Sequence, residues 1–342
     1  MKEALLNEYA RLVVRVGVNV QPAQPVVINA PIEGADFARR LVGAAYEAGA
    51  RDVTVNWSDE TLTRLRLEHV SEDVLGEYPH WKKALYEDNA AAGAAFISLH
   101  GDDPEIFRGI APVRLQKVQR SAGEALMDYR ARMMSNKNTW CVAAIPTRGW
   151  ARKVFPDKTP ADAVAALWAA ILETVRVTGD GGAADRWRNH IAFLRRAADF
   201  LNEVARRGVA IFYVSNRWSE VNYEPTIENL KALGFPSVDA EHVLLMEDRK
   251  MSDKQPRFDR ITEDYDVVVY MGDNVGDLPL GTKGMNRAAR NAAIDAAQEE
   301  FGTQYIVFPN PAYGSWISAL AKDYMTMSPE TREEFYAKTL TE

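Results

Sequence analysis

The sequence predicts an α/β protein in which mostly parallel sheets are covered by helices. Short strand-like runs alternate with longer stretches of helical periodicity along the chain, an order typical of parallel sheets. The runs show little alternation of apolar and polar residues, as expected for strands buried on both faces. They are VVIN, VTVN, AAFISL, VAIFYV, VVVYM and YIVF.

Composition narrows the class of protein. The 342 residues are 47% apolar and 26% charged, as in an ordinary globular chain long enough for two domains. The net charge of -7 offers no excess of positive charge to a nucleic-acid backbone, and a single cysteine, Cys141, excludes an intramolecular disulfide. No apolar run approaches the ~20 residues of a membrane span, and the N-terminal segment lacks a secretion signal. We therefore expect a cytoplasmic protein that binds neither nucleic acid nor membranes.

The first half is predicted to form one α/β domain over residues 1–183. An opening amphipathic helix leads to a strand after Pro25, and a helix follows over 34–48. The next predicted elements are the strand ARDVTVNW, two helices, the strand AAFISLH, a helix over 113–135, the strand TWCVAAIPT and a helix over 160–176.

A connecting helix over 184–207 is predicted to continue without interruption into the second domain, 208–342. The apolar positions keep helical spacing from Ile191 to Val204. The second domain is predicted to contain the strands VAIFYVSN, HVLLM, YDVVVYMGDN and TQYIVFPN, separated by helices over PTIENLKALG, 254–262 and 285–301.

Three segments of the second half carry a hydroxyl, an ammonium and two carboxylates near predicted strand ends. Ser215 follows the strand 211–214, Lys254 begins a helix, and Asp273 and Asp277 follow the strand 267–271. Open α/β sheets bind ligands at the carboxyl ends of their strands. A hydroxyl and an ammonium suit phosphoryl oxygens, and closely spaced carboxylates suit a hard cation such as Mg²⁺. The set predicts a site for phosphate and magnesium.

Each piece also has a purely structural explanation. Ser215 and the two residues after it are typical of a turn. The pattern over 272–277 is equally typical of a helix N-cap with solvated acids. A single lysine such as Lys254 commonly lies at the surface. The combination, in this order and near strand ends, favours the site over these alternatives.

With these motifs, the second half resembles the class C acid phosphatases and the related lipoprotein 5′-nucleotidases of the haloacid dehalogenase superfamily. The resemblance covers 199–342 and rests on IFYVSNR, IENLKALGFP, HVLLMEDRKMSDKQPRF, VVVYMGDNVGDLP and YIVFPNPAYGSW, in family order. It implies a Rossmann-like core, magnesium, and a small phosphomonoester or nucleotide as ligand. It also implies that Ser215 and Lys254 contact the phosphate and that Asp273 and Asp277 bind the metal.

The motif that would supply the nucleophile is absent. The resembling phosphatases take an aspartyl nucleophile and a general acid/base from a DxDET-like motif on a central strand, and the sequence contains no DxDxT. Magnesium and lysine alone only position the phosphoryl group and neutralise its charge. The nearest string is WSDET, where Trp57 stands at the nucleophile position, while Asp102 and Asp103 are the other acids at a predicted strand end. We expect little or no turnover.

Residues 1–202 resemble the N-terminal part of the aminopeptidase T-like family of dinuclear metallopeptidases. The resemblance rests on YARLVVRVGVNVQPAQPVVI, LVGAAYEAGARDVTVNWSDETLTRLRLEH, GDDPEIF, NTWCVAAIPTRGWARKVFP and WRNHIAFLRRAADFLN. It makes WSDET part of the aminopeptidase scaffold and implies a homodimer. The family's metal ligands belong to the part that would follow residue 202, and the histidines of this chain form no HxD or HExxH pair. No metal ligand is assigned in this half; the histidines are His69, His80, His100, His190 and His242.

The sequence thus predicts two incomplete enzyme parts that meet inside FLRRAADFLNEVARRGVAIFYV. The main expectation is a magnesium-dependent phosphomonoester hydrolase by ancestry, weak or inactive, with Asn216 and Asn274 supporting the direct ligands. The alternatives are a metal-dependent aminopeptidase and an inactive chimeric scaffold. Because the second sheet lacks its central strand, we expect it to be unstable unless a strand of the first half, such as TWCVAAIPT, pairs beside VAIFYVS.

Overall fold

The computed structural model describes residues 3–308, 310, 315–321, 327, 331, 332, 334, 335 and 338. The chain divides into two compact units, the first ending at Ala197 and the second beginning at Ala198. Every strand pairing among the described residues is parallel, which confirms the predicted α/β class. None of the helices in this described part is both long and apolar enough to span a bilayer.

The first unit is built on a four-stranded parallel sheet. Its strands are β1 Pro25–Pro31, β2 Asp52–Ser58, β3 Ala95–His100 and β4 Trp140–Ala144, in the order β2-β1-β3-β4. Its helices are α1 Glu3–Leu12, α2 Ala35–Glu47, α3 Glu60–His69, α4 Glu72–Leu75, α5 His80–Ala91, α6 Pro112–Ala125, α7 Met127–Met134, α8 Arg148–Val154, α9 Pro160–Thr174 and α10 Ala183–Leu194. The next helix, α11 Arg196–Arg206, contains the boundary between the two units.

The central strands of this sheet are buried on both faces, as their uninterrupted apolar runs predict. Val26 and Ile28 belong to the main core, whereas Val27, between them, packs in a smaller core with Phe96 and Met133. Successive side chains of a strand point to opposite faces, so the sheet separates two apolar layers.

Helix α1 packs in the main core, and its Glu8 side chain bonds to the loop before α10. Tyr9 is 2% exposed, and its ring stacks on Phe37 with centroids 4.9 Å apart. The neighbouring Glu8 carboxylate is also buried and accepts the N–H groups of Gly179 at 2.6 Å and Ala183 at 2.7 Å. Glu8 therefore satisfies backbone donors at the start of α10 that have no partner within the helix.

The predicted uninterrupted helix over 184–207 is wrong in one respect. Helices α10 and α11 are separated at Arg195, whose ψ of -19° departs from the helical value near -42°. The Arg195 N–H still bonds to the Ile191 carbonyl at 3.0 Å, so helical hydrogen bonding reaches this residue. The segment therefore consists of two helices, α10 and α11, instead of one.

The second unit contains two separate two-stranded parallel sheets. One pairs β5 Tyr213–Trp218 with β6 Val243–Met246, and the other pairs β7 Tyr270–Gly272 with β8 Tyr305–Val307. The helices are α12 Ser219–Ala232, α13 Gln255–Thr262, α14 Arg287–Ala296 and α15 Ser315–Leu320. A small core formed by Ile227, Val238, Val243 and Leu245 lies beneath α12 and β6. Part of the YIVFPNPAYGSW segment lies outside the described residues.

Two expectations about the second sheet are wrong. The segment TWCVAAIPT does not pair beside VAIFYVS, because its strand β4 pairs with β3, from Phe96 opposite Trp140 to His100 opposite Ala144. Strand β5 begins at Tyr213 rather than near residue 209, so Ser215 lies within the strand instead of after it. Among the described strands, β5 pairs only with β6.

The apolar run 267–271 also differs from its prediction as a buried strand. Only β7 at its end is a strand, and Val268 is 65% exposed and Met271 44% exposed. The apolar run predicts a strand with a neighbouring strand on each side, and among the described strands β7 has only one, β8.

Candidate functional site

All four predicted site residues line one cavity of about 570 Å³ in the second unit. Ser215 comes from β5, Lys254 from the residue before α13, and Asp273 and Asp277 from the segment after β7. The lining residues are 215–217, 252–255, 273, 274, 276–278 and 281–283. The structure thus brings together side chains that are up to 62 positions apart in the sequence, from Ser215 to Asp277.

On one side of the cavity, β5 is hydrogen-bonded to the loop that precedes α13. The Ser215 hydroxyl accepts the N–H of Arg217 at 3.2 Å. The Asn216 side-chain amide donates to the Ser252 carbonyl at 2.8 Å, which ties the strand to that loop. Asn216 therefore helps to fix β5 relative to that loop, and its supporting role at the site stays a prediction.

Arg257 links the same two segments and is a residue that the sequence reasoning missed. Its guanidinium donates to the Ser215 carbonyl at 2.7 Å, to the Asp253 carbonyl at 3.1 Å and to the Asn216 side-chain oxygen. Burial lowers the pKa of Arg257 from its ordinary value. The signal available in the sequence was its spacing, since Arg257 lies three residues after Lys254 and one helical turn brings them to the same face.

Lys254 and Asp277 form an ion pair inside the cavity. The Lys254 Nζ donates to Asp277 Oδ1 at 2.7 Å, and the two side chains are 15% and 16% exposed. The pair leaves two of the ammonium hydrogens for other acceptors, because the group carries three donors. Lys254 can therefore hold a phosphoryl oxygen while it remains bonded to Asp277.

A capping box after β7 fixes the Asp277 side chain. Asn274 accepts the Gly276 N–H at 3.0 Å, and Asp277 Oδ2 accepts the Asn274 N–H at 3.1 Å. Asp277 also lies directly against Gly272, where a β-carbon would come within 2.3 Å of the Asp277 β-carbon. The helix-cap alternative is therefore correct for Asn274, and the cap itself positions Asp277 at the cavity.

The two predicted metal ligands offer the oxygen donors that magnesium prefers. Asp273 is exposed, and its Oδ2 accepts the Asn310 side-chain amide at 2.9 Å. An ionised carboxylate has about four lone-pair sites, so a carboxylate that accepts hydrogen bonds can also bind a cation. Within the described ranges no group of three or more His, Cys, Asp and Glu side chains converges, so the candidate cation site consists of this carboxylate pair. The donor chemistry fits Mg²⁺, which commonly binds one or two carboxylates and keeps several waters.

The WSDET string of the first unit has a structural role. Trp57 and Ser58 end β2, and Asp59 is the N-cap of α3, where its carboxylate accepts the N–H groups of Thr61 at 2.8 Å and Leu62 at 3.2 Å. Asp and Ser are preferred at this position because they satisfy free N–H groups of the first turn. The likeness to the phosphatase motif is thus explained by helix capping.

Asp102 and Asp103 follow β3 in the first unit, beside Glu60. The Asp103 N–H donates to Glu60 Oε2 at 3.0 Å. Burial raises the pKa of Glu60, and the carboxylates of Asp102 and Asp103 raise it further, against the lowering effect of that hydrogen bond. Asp103 packs so closely on Gly149 that a β-carbon there would lie 2.1 Å from its carboxyl carbon. The cavity of the second unit has neither acid in its lining.

Two protein families match this chain, each over a different part of it. Residues 2–212 match the thermophilic metalloprotease (M29) family, and the chain belongs to that family. Aminopeptidase AmpS of Bacillus subtilis is 42% identical over 208 residues, which cover 61% of this chain and 50% of that relative. The structure of wild-type AmpT from Thermus thermophilus superposes with a TM-score of 0.53 at 31% identity, covering 59% of this chain and 49% of that one. The chain spans about half the length of the curated relatives it matches.

Residues 187–316 match a second family, the acid phosphatases of haloacid dehalogenase subfamily IIIB. The class C acid phosphatase from Bacillus anthracis superposes weakly, with a TM-score of 0.39 at 28% identity, covering 54% of this chain and 75% of that one. The two family matches overlap over 187–212, the segment of α10 and α11 in which the sequence resemblances meet. Both resemblances are confirmed, and the architecture is that of a two-part chimera.

Proposed function

We propose that the second unit binds magnesium and a phosphomonoester and hydrolyses the ester slowly or not at all. The observation that carries the proposal is the convergence of Ser215, Lys254, Asp273 and Asp277 on one cavity. They supply a hydroxyl donor, an ammonium and two carboxylates in a unit that belongs to the acid phosphatase match. A small phosphomonoester or a nucleotide is the ligand class that these groups suit.

Within this site, each residue has a chemical task. The Ser215 hydroxyl and the Lys254 ammonium would donate to phosphoryl oxygens and neutralise their charge. Asp273 and Asp277 would hold Mg²⁺, which when bound supplies Lewis-acid polarisation of a phosphoryl oxygen. Lys254, through its bond to Asp277, links the phosphate and cation halves of the site. The cavity lining includes one further acid, Asp253, whose Oδ1 accepts the Gln255 N–H at 3.1 Å.

Titration calorimetry of the full chain with inorganic phosphate tests the proposal. Phosphate should bind in the presence of magnesium, and Asp273→Ala should abolish the magnesium-dependent part of that binding. Asp295→Ala, at an exposed acid on α14, is the matched control and should leave binding unchanged. Binding that is the same with and without magnesium, or that survives Asp273→Ala, would contradict the proposal. An assay with p-nitrophenyl phosphate under the same conditions should give little or no turnover.

Aminopeptidase activity is the second candidate, because the chain belongs to the M29 family and its first unit superposes on AmpT. Against it, the described residues contain no group of three or more potential metal ligands. Hydrolysis of leucyl-p-nitroanilide with added cobalt or zinc would establish this activity. If neither assay gives turnover and magnesium with phosphate leaves the melting temperature unchanged, the chain is an inert scaffold. Light scattering tests the homodimer that the aminopeptidase resemblance implies.

A further inference from the structure

The cavity contains two ammonium groups, and their surroundings differ. Lys254 is neutralised by Asp277 at 2.7 Å. Lys283 is also in the lining but is exposed; its ammonium donates to the Ser252 hydroxyl at 2.7 Å and forms no ion pair with any described carboxylate. A neutral hydroxyl fixes the position of this ammonium without compensating its charge.

The residue before Lys283 carries a buried hydroxyl that has no hydrogen-bond partner among the described residues. This residue, Thr282, also lines the cavity and is only 5% exposed. A buried hydroxyl without a partner costs about 1–3 kcal/mol. Gly281, with a φ of +60°, makes the turn that brings Thr282 and Lys283 to the lining.

The cavity is larger than one phosphate group requires. Its volume of about 570 Å³ lies within the range of sites that take whole small molecules, roughly 300–1,000 Å³. Besides Ser215 and Lys254, the lining includes Ser252 and Lys283. The third carboxylate of the lining, Asp253, accepts the Gln255 N–H and is not paired with Lys283.

We infer that Ser252 and Lys283 form a second anion subsite, so that the preferred ligand carries a second phosphate group beside the first. This inference rests on the proposed function and specifies its ligand class as a diphosphate or bisphosphate. The ammonium supplies charge-assisted hydrogen bonds, which are about twice as strong as neutral ones. One such contact corresponds to roughly a tenfold gain in affinity.

Calorimetry with inorganic phosphate and pyrophosphate, both with magnesium in excess, tests the inference on the full chain. The wild-type protein should bind pyrophosphate about tenfold more tightly than phosphate. Lys283→Ala should remove most of that difference, because it should weaken pyrophosphate binding more than phosphate binding. Lys231→Ala, at an exposed lysine near the end of α12, should change neither affinity.

The outcomes separate this inference from the function on which it rests. If wild-type protein binds phosphate with magnesium but binds pyrophosphate no more tightly, or if Lys283→Ala leaves the preference intact, the second subsite is wrong and the proposed function stands. If the wild-type protein binds neither probe, the proposed function fails and the inference falls with it.

Discussion

Substitution of Gly272 by alanine should disturb the candidate site through a single contact. A β-carbon at this position would lie 2.3 Å from the β-carbon of Asp277 and 2.6 Å from its Oδ2. Carbon atoms pack at about 3.5–4.0 Å, so Asp277 must move by about 1 Å or more. That movement breaks or weakens its bonds to the Lys254 ammonium and the Asn274 N–H, which are 2.7 and 3.1 Å long.

The size of the effect follows from those contacts. Overpacking of a well-filled site costs about 1–3 kcal/mol, and a hydrogen bond to a charged group contributes about 1.5–3 kcal/mol. Removal of glycine returns about 0.5–1 kcal/mol by restricting the unfolded chain. The free energy of unfolding of the second unit should therefore fall by about 2–5 kcal/mol, and magnesium-dependent phosphate affinity should fall at least about tenfold.

Denaturant unfolding and phosphate titration of the full chain would measure both effects. Gly43→Ala is the matched control, because a β-carbon at Gly43 in α2 would meet nothing within 4 Å. It should leave phosphate binding unchanged and should not lower stability. If Gly272→Ala binds phosphate as the wild type does and unfolds at the same denaturant concentration, Asp277 does not lie against the end of β7 in the way that the reasoning requires.

Three further predictions concern other contacts. Glu8→Gln should lower the free energy of unfolding of the first unit by about 2 kcal/mol, because the carboxylate bonds to backbone donors such as the Ala183 N–H. Guanidinium denaturation would measure this change, and an unchanged unfolding midpoint would contradict the prediction. Burial, reinforced by a neighbouring tyrosine, raises the pKa of Tyr129 from 10.0 to about 12, so the stability gained from its neutral form is complete below pH 10 and is lost as the pH rises toward 12. Tyr129→Phe should therefore reduce the fall in melting temperature between pH 9 and 12, and an identical pH profile would refute the assignment. Arg257→Ala should displace Ser215 and so weaken phosphate binding at least about fivefold, while magnesium affinity stays unchanged. An equal loss of phosphate and magnesium affinity would contradict this prediction and indicate general unfolding of the site.

The first unit shows how far local pattern predicts a fold. Its four strands lie where apolar runs bounded by turn residues predict them, because both neighbours of each central strand are encoded in the same unit. In the second unit the same kind of pattern fails at 267–271. Val268 has the residue type of a buried strand, but no described strand pairs beside it, so its side chain remains exposed. Residue type records a preference for burial, whereas burial itself depends on a partner.

In the candidate site, too, some residues were predictable from the sequence and one was not. Ser215, Lys254 and the two acids were predictable from their order near strand ends, and the structure places them around one cavity. Arg257 was not predicted, because two of its three bonds are to backbone carbonyls, which any residue in those positions would present. Contacts of this kind depend on tertiary placement and leave no mark in residue types alone.

A crystal structure of the full chain grown with magnesium and phosphate would test the central claim most directly. The account predicts a phosphate ion bonded to the Ser215 hydroxyl and the Lys254 ammonium, with a metal ion on Asp273 and Asp277. It also predicts that no carboxylate will lie within bonding reach of phosphorus on the open side of the ion. A phosphate bound elsewhere, or an acidic side chain poised in line to attack the phosphorus atom, would contradict the account.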